Sequence, residues 1–311
     1  MKIHHQSLSF PRPNQPVVTT GTFDGVHLGH KTILNRLIES ARQIQGESVV
    51  ITFDPHPRQV LYPNDHSLKL LQSVDEKAAR LEALGVDHLL VIKFDKAFSE
   101  LSSDEFIRTV LVDAIGTKKL VVGYDHHFGK NREGSFESLR KQGMIHGFSV
   151  EEIPAHDIDQ VAVSSTAIRK ALTLGEIKTA NSYLGYPYSF SGEVVQGNQM
   201  GRQLGFPTAN LKISNALKLI PASGVYAVTV EVQNRTYQGM LNIGYRPTLT
   251  EDKILTCEVH VLDFSSDIYG ETIRVQFIDR LRDEMRFSGK DELIQQLNTD
   301  KIQAAQLLNS I

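Results

Sequence analysis

The chain has 311 residues, of which 41% are hydrophobic, and its formal net charge at pH 7 is -3. This length exceeds the usual size of one domain, so we expect two domains. A slightly acidic chain offers no broad basic field, which disfavours nucleic-acid binding and favours small-molecule ligands.

Strand-like and helix-like segments alternate through the first half of the chain. Strands are predicted at 17–20, 48–53, 88–94 and 119–124, and helices at 33–44, 75–84 and 103–115. This alternation is typical of βαβ units and predicts an α/β domain with a parallel sheet. Gly85 and Gly116 are expected to cap two of the helices, and Ser102 with Glu105 is expected to form a capping box.

A glycine-rich segment with two histidines, GTFDGVHLGH at 21–30, follows the first of these strands and opens a helix. His27 and His30 are three residues apart and therefore share a helix face. The amino end of a helix offers free backbone N–H groups and a positive dipole to an anion. The motif predicts a site for a reacting nucleotide phosphate, and the alternatives are a zinc site or two surface histidines.

A second phosphate-binding candidate is the hydroxyl-rich segment VSSTAIRK at 163–170. It opens a predicted helix, where hydroxyls, backbone amides and Arg169 can converge on phosphate. The alternative is a serine that caps the helix, followed by an exposed cation.

The second half of the chain changes to alternating strand patterns. Strands are predicted at 189–195, 225–232, 237–243, 255–264 and 272–281, and a small antiparallel barrel is the natural closure for so many edges. A helix at 290–309 follows, with an apolar stripe expected to dock on the barrel, formed by Leu293, Ile294, Leu297, Ile302, Ala305 and Leu308. Gly185 and Pro187 interrupt a helical stretch, so the predicted domains are 1–184 and 185–311.

The order of several motifs resembles the bacterial bifunctional riboflavin kinase and FMN adenylyltransferase family, also called FAD synthetase. The first half carries the resemblance in GTFDGVHLGH, TFDPHPR, GYDHHFGKNREG and SSTAIRKAL, and the second half in GRQLGFPTAN, GVYAV, NIGYRPT and CEVHVLDF. The resemblance implies a Rossmann-like nucleotidyltransferase domain followed by a six-stranded riboflavin kinase barrel.

For the first domain the resemblance implies that the phosphate of FMN attacks the α-phosphorus of ATP, giving FAD and pyrophosphate. His27 and His30 would stabilise the developing negative charge, with Arg169, Ser165 and Thr166 on the other side of the phosphates. The nucleotide-binding residues implied in this domain are also Gly21, Phe23, Asp24, Gly25, Gly29 and Asp125. The family often has arginine where Ala167 stands, so one cationic contact differs here.

For the barrel the resemblance implies phosphoryl transfer from ATP to the ribityl hydroxyl of riboflavin, giving FMN. Glu258 would accept the hydroxyl proton, and strand alternation places it opposite Cys257 and Val259. Thr208 and Asn210 would hold Mg²⁺ bound to ATP, because hard oxygen ligands suit that ion. Gly201, Arg202 and Gly205 would complete the nucleotide site. Alternatively, Glu258 is simply a residue on an exposed strand face, and the glycines simply form a turn.

Two other functions stay open on the sequence. One is an adenylyltransferase with another phosphorylated acceptor, and the other is a flavin-binding regulator without turnover. The oligomeric state also stays open. The lone cysteine, Cys257, fits a reducing cytoplasm, and no apolar run has the length of a membrane span.

Overall fold

The computed structural model describes residues 1–5, 11–124, 128–130, 134–154, 163–197, 201, 204–247 and 253–310. The chain divides into two compact units, Met1–Ser165 and Thr166–Ile311. This division falls at the start of a helix, whereas the predicted domain boundary after residue 184 follows the next helix. That boundary stays a prediction.

A six-stranded parallel sheet forms the first unit, as the βαβ alternation predicted. Its spatial order is β1-β4-β3-β2-β5-β6. The strands are β1 (Lys2–His5), β2 (Val17–Thr20), β3 (Ser48–Asp54), β4 (His88–Lys93), β5 (Lys119–Gly123) and β6 (Ser149–Ile153). The edge strand β1 was not predicted, because its four residues are mostly polar and exposed.

Helices connect these strands at α1 (Leu28–Gln43), α2 (Pro57–Leu61), α3 (Val74–Leu84), α4 (Lys96–Ser99), α5 (Ser103–Phe106) and α6 (Phe136–His146). The predicted caps are confirmed: Gly85 and Gly116 are left-handed, and Ser102 forms a capping box with Glu105. The predicted helix over 103–115 is α-helical only through α5 and continues as a π-helix, Ile107–Ile115. The wider π turn accompanies full burial of Ile107, Val110, Leu111 and Ile115.

Both faces of the sheet are covered. Val17, Val50 and Leu89 pack into a core with α1 and α3, while Val18, Val49 and Leu90 pack into a core with the π-helix. Strands buried on both faces are apolar at successive positions, which explains the run Val49-Val50-Ile51.

The topology determines where a ligand can bind. From the inner strand β2 the chain first builds β3 and β4 on one side, and later β5 and β6 on the other. Open α/β sheets bind ligands outside the carboxyl ends of the strands at such a switch point. The segment that follows β2 is the glycine- and histidine-rich motif.

The second unit is a closed antiparallel barrel with the strand order β10-β11-β8-β7-β12-β9, which confirms the six-stranded barrel. Two helices, α7 (Ser165–Leu174) and α8 (Ile177–Leu184), precede it. The strands are β7 (Ser189–Val195), β8 (Ala209–Lys212), β9 (Gly224–Val232), β10 (Arg235–Pro247), β11 (Lys253–Val261) and β12 (Thr272–Arg282). The four-residue strand β8 was too short to be predicted.

The carboxy-terminal helix α9 (Lys290–Leu308) docks on the barrel through a stripe that shares Leu297 and Leu308 with the predicted one. Leu297, Ala304 and Leu308 pack against Ala227 and Met240, whereas Ile302 is 59% exposed. Asp300 on the same helix is fully buried, where its carboxylate accepts two hydrogen bonds from Arg282. Hydropathy does not predict a buried aspartate. Of the helices in the described ranges, none is long and apolar enough to cross a bilayer.

Candidate functional sites

The histidine loop, residues 21–27 between β2 and α1, has a strained backbone. Phe23, Gly25 and Val26 have positive φ angles of 45°, 89° and 38°. Positive φ suits glycine, but it is unfavourable for a β-branched residue such as Val26. Such conformations persist only where the surrounding structure enforces them, and they concentrate at functional sites.

Buried polar contacts enforce this conformation. The carboxylate of Asp24 accepts hydrogen bonds from the backbone N–H groups of Leu71 and Gln72 at 3.0–3.1 Å. Ser165 donates its hydroxyl to the carbonyl of Asp24 at 2.8 Å. The ammonium of Lys77 donates to the carbonyl of Thr22 at 2.6 Å. Asp24 therefore ties the loop to the protein interior, and its predicted role in nucleotide binding stays a prediction.

His27 and His30 lie together at the amino end of α1, as predicted. His27 is the N-cap residue, and its Nδ1 accepts the backbone N–H of His30 at 3.4 Å. The two rings stack with centroids 3.7 Å apart and 18° between their planes. Because Nδ1 of His27 is an acceptor, the proton of the neutral ring lies on Nε2, which can donate to an anion.

His30 is held neutral. Burial, followed by the charges of His27 and Lys77, keeps the pKa of His30 well below its ordinary value. Its Nδ1 is buried and has no hydrogen-bond partner within the described part of the chain. A neutral imidazole offers an N–H dipole to a phosphate rather than a positive charge.

The remaining predicted residues of the loop are accounted for by packing. Phe23 is buried in the core and makes an edge contact with the ring of His30 at 5.2 Å. A Cβ on Gly29 would lie 3.2 Å from the His27 ring, and a Cβ on Gly21 would lie 3.1 Å from the Phe23 ring. These two glycines leave room for the aromatic side chains, which is compatible with their predicted role beside a nucleotide.

The other predicted residues of the adenylyl-transfer site are described only in part. Ser165 belongs to the first unit, while Thr166 and Arg169 lie on α7 in the second unit. Asp125 lies outside the described residues. The roles of these residues stay predictions.

A second cluster of polar side chains crosses three strands of the barrel. Glu258 of β11 is paired with Asn210 of β8 on one side and with Asn242 of β10 on the other. Directly opposed residues of antiparallel strands point to the same face, so these three side chains form one row. Cys257 and Val259 are buried and alternate with Glu258, which confirms the predicted strand alternation.

The turn before β8 brings Thr208 to this row. Its hydroxyl donates to a carboxylate oxygen of Glu258 at 3.4 Å. Gly201 and Phe206 close the turn through a backbone bond of 2.8 Å, and a Cβ on Gly201 would lie 2.3 Å from the Phe206 carbonyl. Gly201 therefore has to be glycine. Gly205 has a φ of 83° in the same turn, whereas Arg202 lies outside the described residues.

His260 fastens the same turn to β11. Its Nδ1 lies 2.7 Å from the carbonyl of Pro207, and its ring contacts Phe206 edge to face. A carbonyl only accepts, so Nδ1 carries the proton. Burial lowers the pKa of His260 and favours this neutral form.

A cavity of about 380 Å³ opens beside Thr208. The apolar side chains of Val194, Val259 and Val261 line it together with the segment from Phe264 to Tyr269, which adds polar groups at Ser265, Ser266 and Asp267. This volume lies within the range of small-molecule sites, which are typically apolar with a few polar groups at one end.

The oxygen atoms of Thr208, Asn210 and Glu258 fit a magnesium nucleotide. Hydroxyl, amide and carboxylate oxygens are hard ligands, and Mg²⁺ is usually held by few protein groups together with phosphate and water. In the described ranges no group of three or more His, Cys, Asp or Glu side chains could hold a metal ion by itself.

Sequence reasoning missed three residues of these sites. Lys77 lies on α3, far from the histidine motif in sequence, and gives no signal beyond one cation on an amphipathic helix. Asn242 opens the NIGYRPT segment, so its place in the row required the strand register. His260 lies two residues after Glu258, and its bond to the Pro207 carbonyl required the folded turn.

Two family models match the chain in succession. Residues 10–167 match the FAD synthetase model, and residues 184–308 match the riboflavin kinase model. The chain belongs to the bifunctional riboflavin kinase and FMN adenylyltransferase family. Its function is that of the family, riboflavin kinase and FMN adenylyltransferase, with the two domains in the predicted order.

Similar proteins cover most of the chain. The bifunctional riboflavin kinase/FMN adenylyltransferase of Listeria monocytogenes is 40% identical over 92% of this chain and 90% of its own length. The enzyme of the same name from Escherichia coli K12 is 39% identical, over 93% and 91%. A crystal structure described as a macrolide-efflux protein from Streptococcus pneumoniae has a TM-score of 0.88 at 33% identity, covering 97% of this chain and 98% of that one. The fold is therefore shared with a solved structure along nearly its whole length.

Proposed function

We propose that the barrel phosphorylates riboflavin and that the histidine loop serves the adenylylation of FMN. The observation that carries the first assignment is the contact between Thr208 and Glu258, beside a cavity of ligand size. The second assignment is supported by the stacked rings of His27 and His30 at a helix amino terminus, where burial lowers the pKa of His30.

In the kinase reaction Glu258 orients the terminal ribityl hydroxyl and takes its proton as the oxygen attacks the γ-phosphorus of ATP. The bond from that phosphorus to the β,γ-bridging oxygen breaks, so the products are FMN and ADP. Thr208 and Asn210 would hold Mg²⁺, which when bound neutralises charge on the ATP phosphates. The cavity beside Thr208, lined by both apolar and polar side chains, has a volume that suits the adenosine part of the same nucleotide.

In the adenylyl-transfer reaction a phosphate oxygen of FMN attacks the α-phosphorus of a second ATP, and pyrophosphate leaves. The attacking group is already an anion, so no protein nucleophile or general base is needed. His27 and His30 donate N–H groups to the phosphate oxygens on which charge develops, and Ser165, Thr166 and Arg169 add donors and a positive charge. The helix amino terminus contributes further backbone N–H groups.

Incubation of the chain with riboflavin, ATP and magnesium tests both assignments at once. We expect FMN to appear first and FAD to follow, each identified by chromatography. A second incubation, which starts from FMN, isolates adenylylation. Because the acceptor is set by the site, phosphopantetheine or nicotinamide mononucleotide offered in place of FMN should give no adenylylated product. Adenylylation of either one, with FMN unused, would contradict the assignment to FMN.

The buried lone thiol, Cys257, suits a cytoplasmic location for these reactions.

A further inference from the structure

Lys77 connects the histidine loop to helix α3 and strand β3 in the first unit. From α3 its ammonium donates to the carbonyl of Thr22 at 2.6 Å and contacts the hydroxyl of Thr52, on β3, at 2.9 Å. The Thr52 hydroxyl itself donates to the Thr22 carbonyl at 3.2 Å. The start of the strained loop is therefore fixed by a helix, a strand and a buried cation together.

Burial of the Lys77 ammonium is unfavourable for folding. Burial lowers the pKa of Lys77 to about 8, and the opposing charges of Asp24 and Asp54 do not offset the burial. A lowered lysine pKa means that the folded protein tolerates the ammonium less well than water does. An apolar side chain of similar length would avoid this penalty, so folding alone does not account for a lysine here.

Lys77 also affects the electrostatics of the histidine pair. Its charge, after burial and the charge of His27, contributes to the low pKa of His30. Lys77 thus shapes the loop through Thr22 and biases His30 towards the neutral ring.

We propose that Lys77 is a positioning residue for adenylyl transfer, which holds the Thr22 carbonyl and so the loop conformation that presents His27 and His30 to the phosphates. The inference rests on the proposed role of the histidine loop. The hydrogen bonds of the Lys77 ammonium go to Thr22 and Thr52, so its effect on the position of the two histidines is indirect.

The test compares Lys77→Met with the unchanged chain in two assays on the same protein preparation. We expect FAD formation from FMN to fall at least about tenfold in kcat, because small displacements of catalytic groups are costly. Riboflavin phosphorylation is expected to change less than about twofold, because the kinase residues lie on another unit. The midpoint of thermal unfolding should stay the same or rise, because the buried charge is gone.

Imidazole titration by NMR provides a readout that a purely structural role would not change. Removal of a neighbouring positive charge raises a histidine pKa, so the pKa of His30 is expected to rise in Lys77→Met. An unchanged His30 titration together with unchanged FAD formation would overturn the inference.

Lys119→Met is the matched control in the same unit. Lys119 pairs with Glu151 at 2.6 Å and contacts Ser40 at 3.1 Å, so its ammonium is bound elsewhere than at the histidine loop. We expect this variant to lose stability and to keep its FAD formation, the opposite of Lys77→Met. Equal losses of FAD formation in both variants would show a general effect of lysine removal and would overturn the inference.

Lys77→Gln covers the case in which Lys77→Met does not fold. Its amide can still donate to Thr22 without a charge, so we expect FAD formation between the values of Lys77→Met and the unchanged chain. His30→Ala separates the two hypotheses. If it lowers FAD formation while both Lys77 variants do not, the inference on Lys77 fails; if it leaves FAD formation intact, the proposed role of the loop fails.

Discussion

The two candidate sites differ in the backbone that positions their side chains: one is a strained loop and the other is a set of paired strands. In the first unit the reacting side chains follow a loop with three positive φ angles, held by buried contacts from distant segments. In the barrel the reacting side chains stand in register on β8, β10 and β11, and backbone pairing alone places Asn210, Glu258 and Asn242 in one row. A site on regular strands inherits its geometry from the sheet, while a site on a strained loop needs neighbours that enforce it.

The comparison predicts that disruption of either site leaves the other working. Glu258→Ala is expected to have the largest effect, since it removes the group that takes the hydroxyl proton. Riboflavin phosphorylation should fall by about 10²–10⁴-fold, the usual contribution of general base catalysis. Conversion of FMN to FAD by the same variant should stay near that of the unchanged chain. Loss of both reactions in a folded variant would contradict separate sites.

His30→Ala is the converse experiment. FAD formation from FMN should fall by about 10²–10³-fold, the range for removal of one donor that stabilises transition-state charge. Riboflavin phosphorylation should continue. The assay is steady-state formation of each product with saturating ATP, and a parallel drop in FMN formation would count against the assignment.

Gly25→Ala tests whether the loop conformation itself matters. At a φ of 89° an alanine is strained, which should cost about 1–2 kcal/mol of stability and lower FAD formation by about tenfold. Gly147→Ala is the matched control, because Gly147 has a φ of 79° at the end of α6 and, among the residues that the structure describes, an added Cβ would meet no other segment within 4 Å. Both variants should show a lower denaturation midpoint, but only Gly25→Ala should lose FAD formation.

His260→Gln should have the smallest effect. It breaks the bond to the Pro207 carbonyl, and a net hydrogen bond is worth about 1 kcal/mol, so the KM for ATP in the kinase reaction should rise by about fivefold. The kcat should change less, because Glu258 is held by strand pairing. A fall in kcat with an unchanged KM would indicate that His260 acts on Glu258 instead of on the turn that carries Thr208.

The alternation of strand and helix patterns predicted the parallel sheet, and the apolar pattern predicted the carboxy-terminal helix. The order of the motifs predicted the family and, through it, the six strands of the barrel. Local rules were also sufficient for the caps, since a left-handed glycine and a serine with a glutamate three residues later depend only on neighbouring residues. The two histidines were predicted at the start of a helix because their spacing and the preceding strand are local features.

Tertiary structure decided what depends on residues distant in sequence. The buried ammonium of Lys77, the tie from His260 to Pro207 and the place of Asn242 beside Glu258 follow from packing and strand register. On α9, Ile302 of the predicted stripe is exposed, whereas Ala304 and the Asp300 that pairs with Arg282 are buried. Hydropathy and spacing determine which residues form helices and strands, whereas a buried charge or a strained turn is stable only in the environment that the complete fold provides.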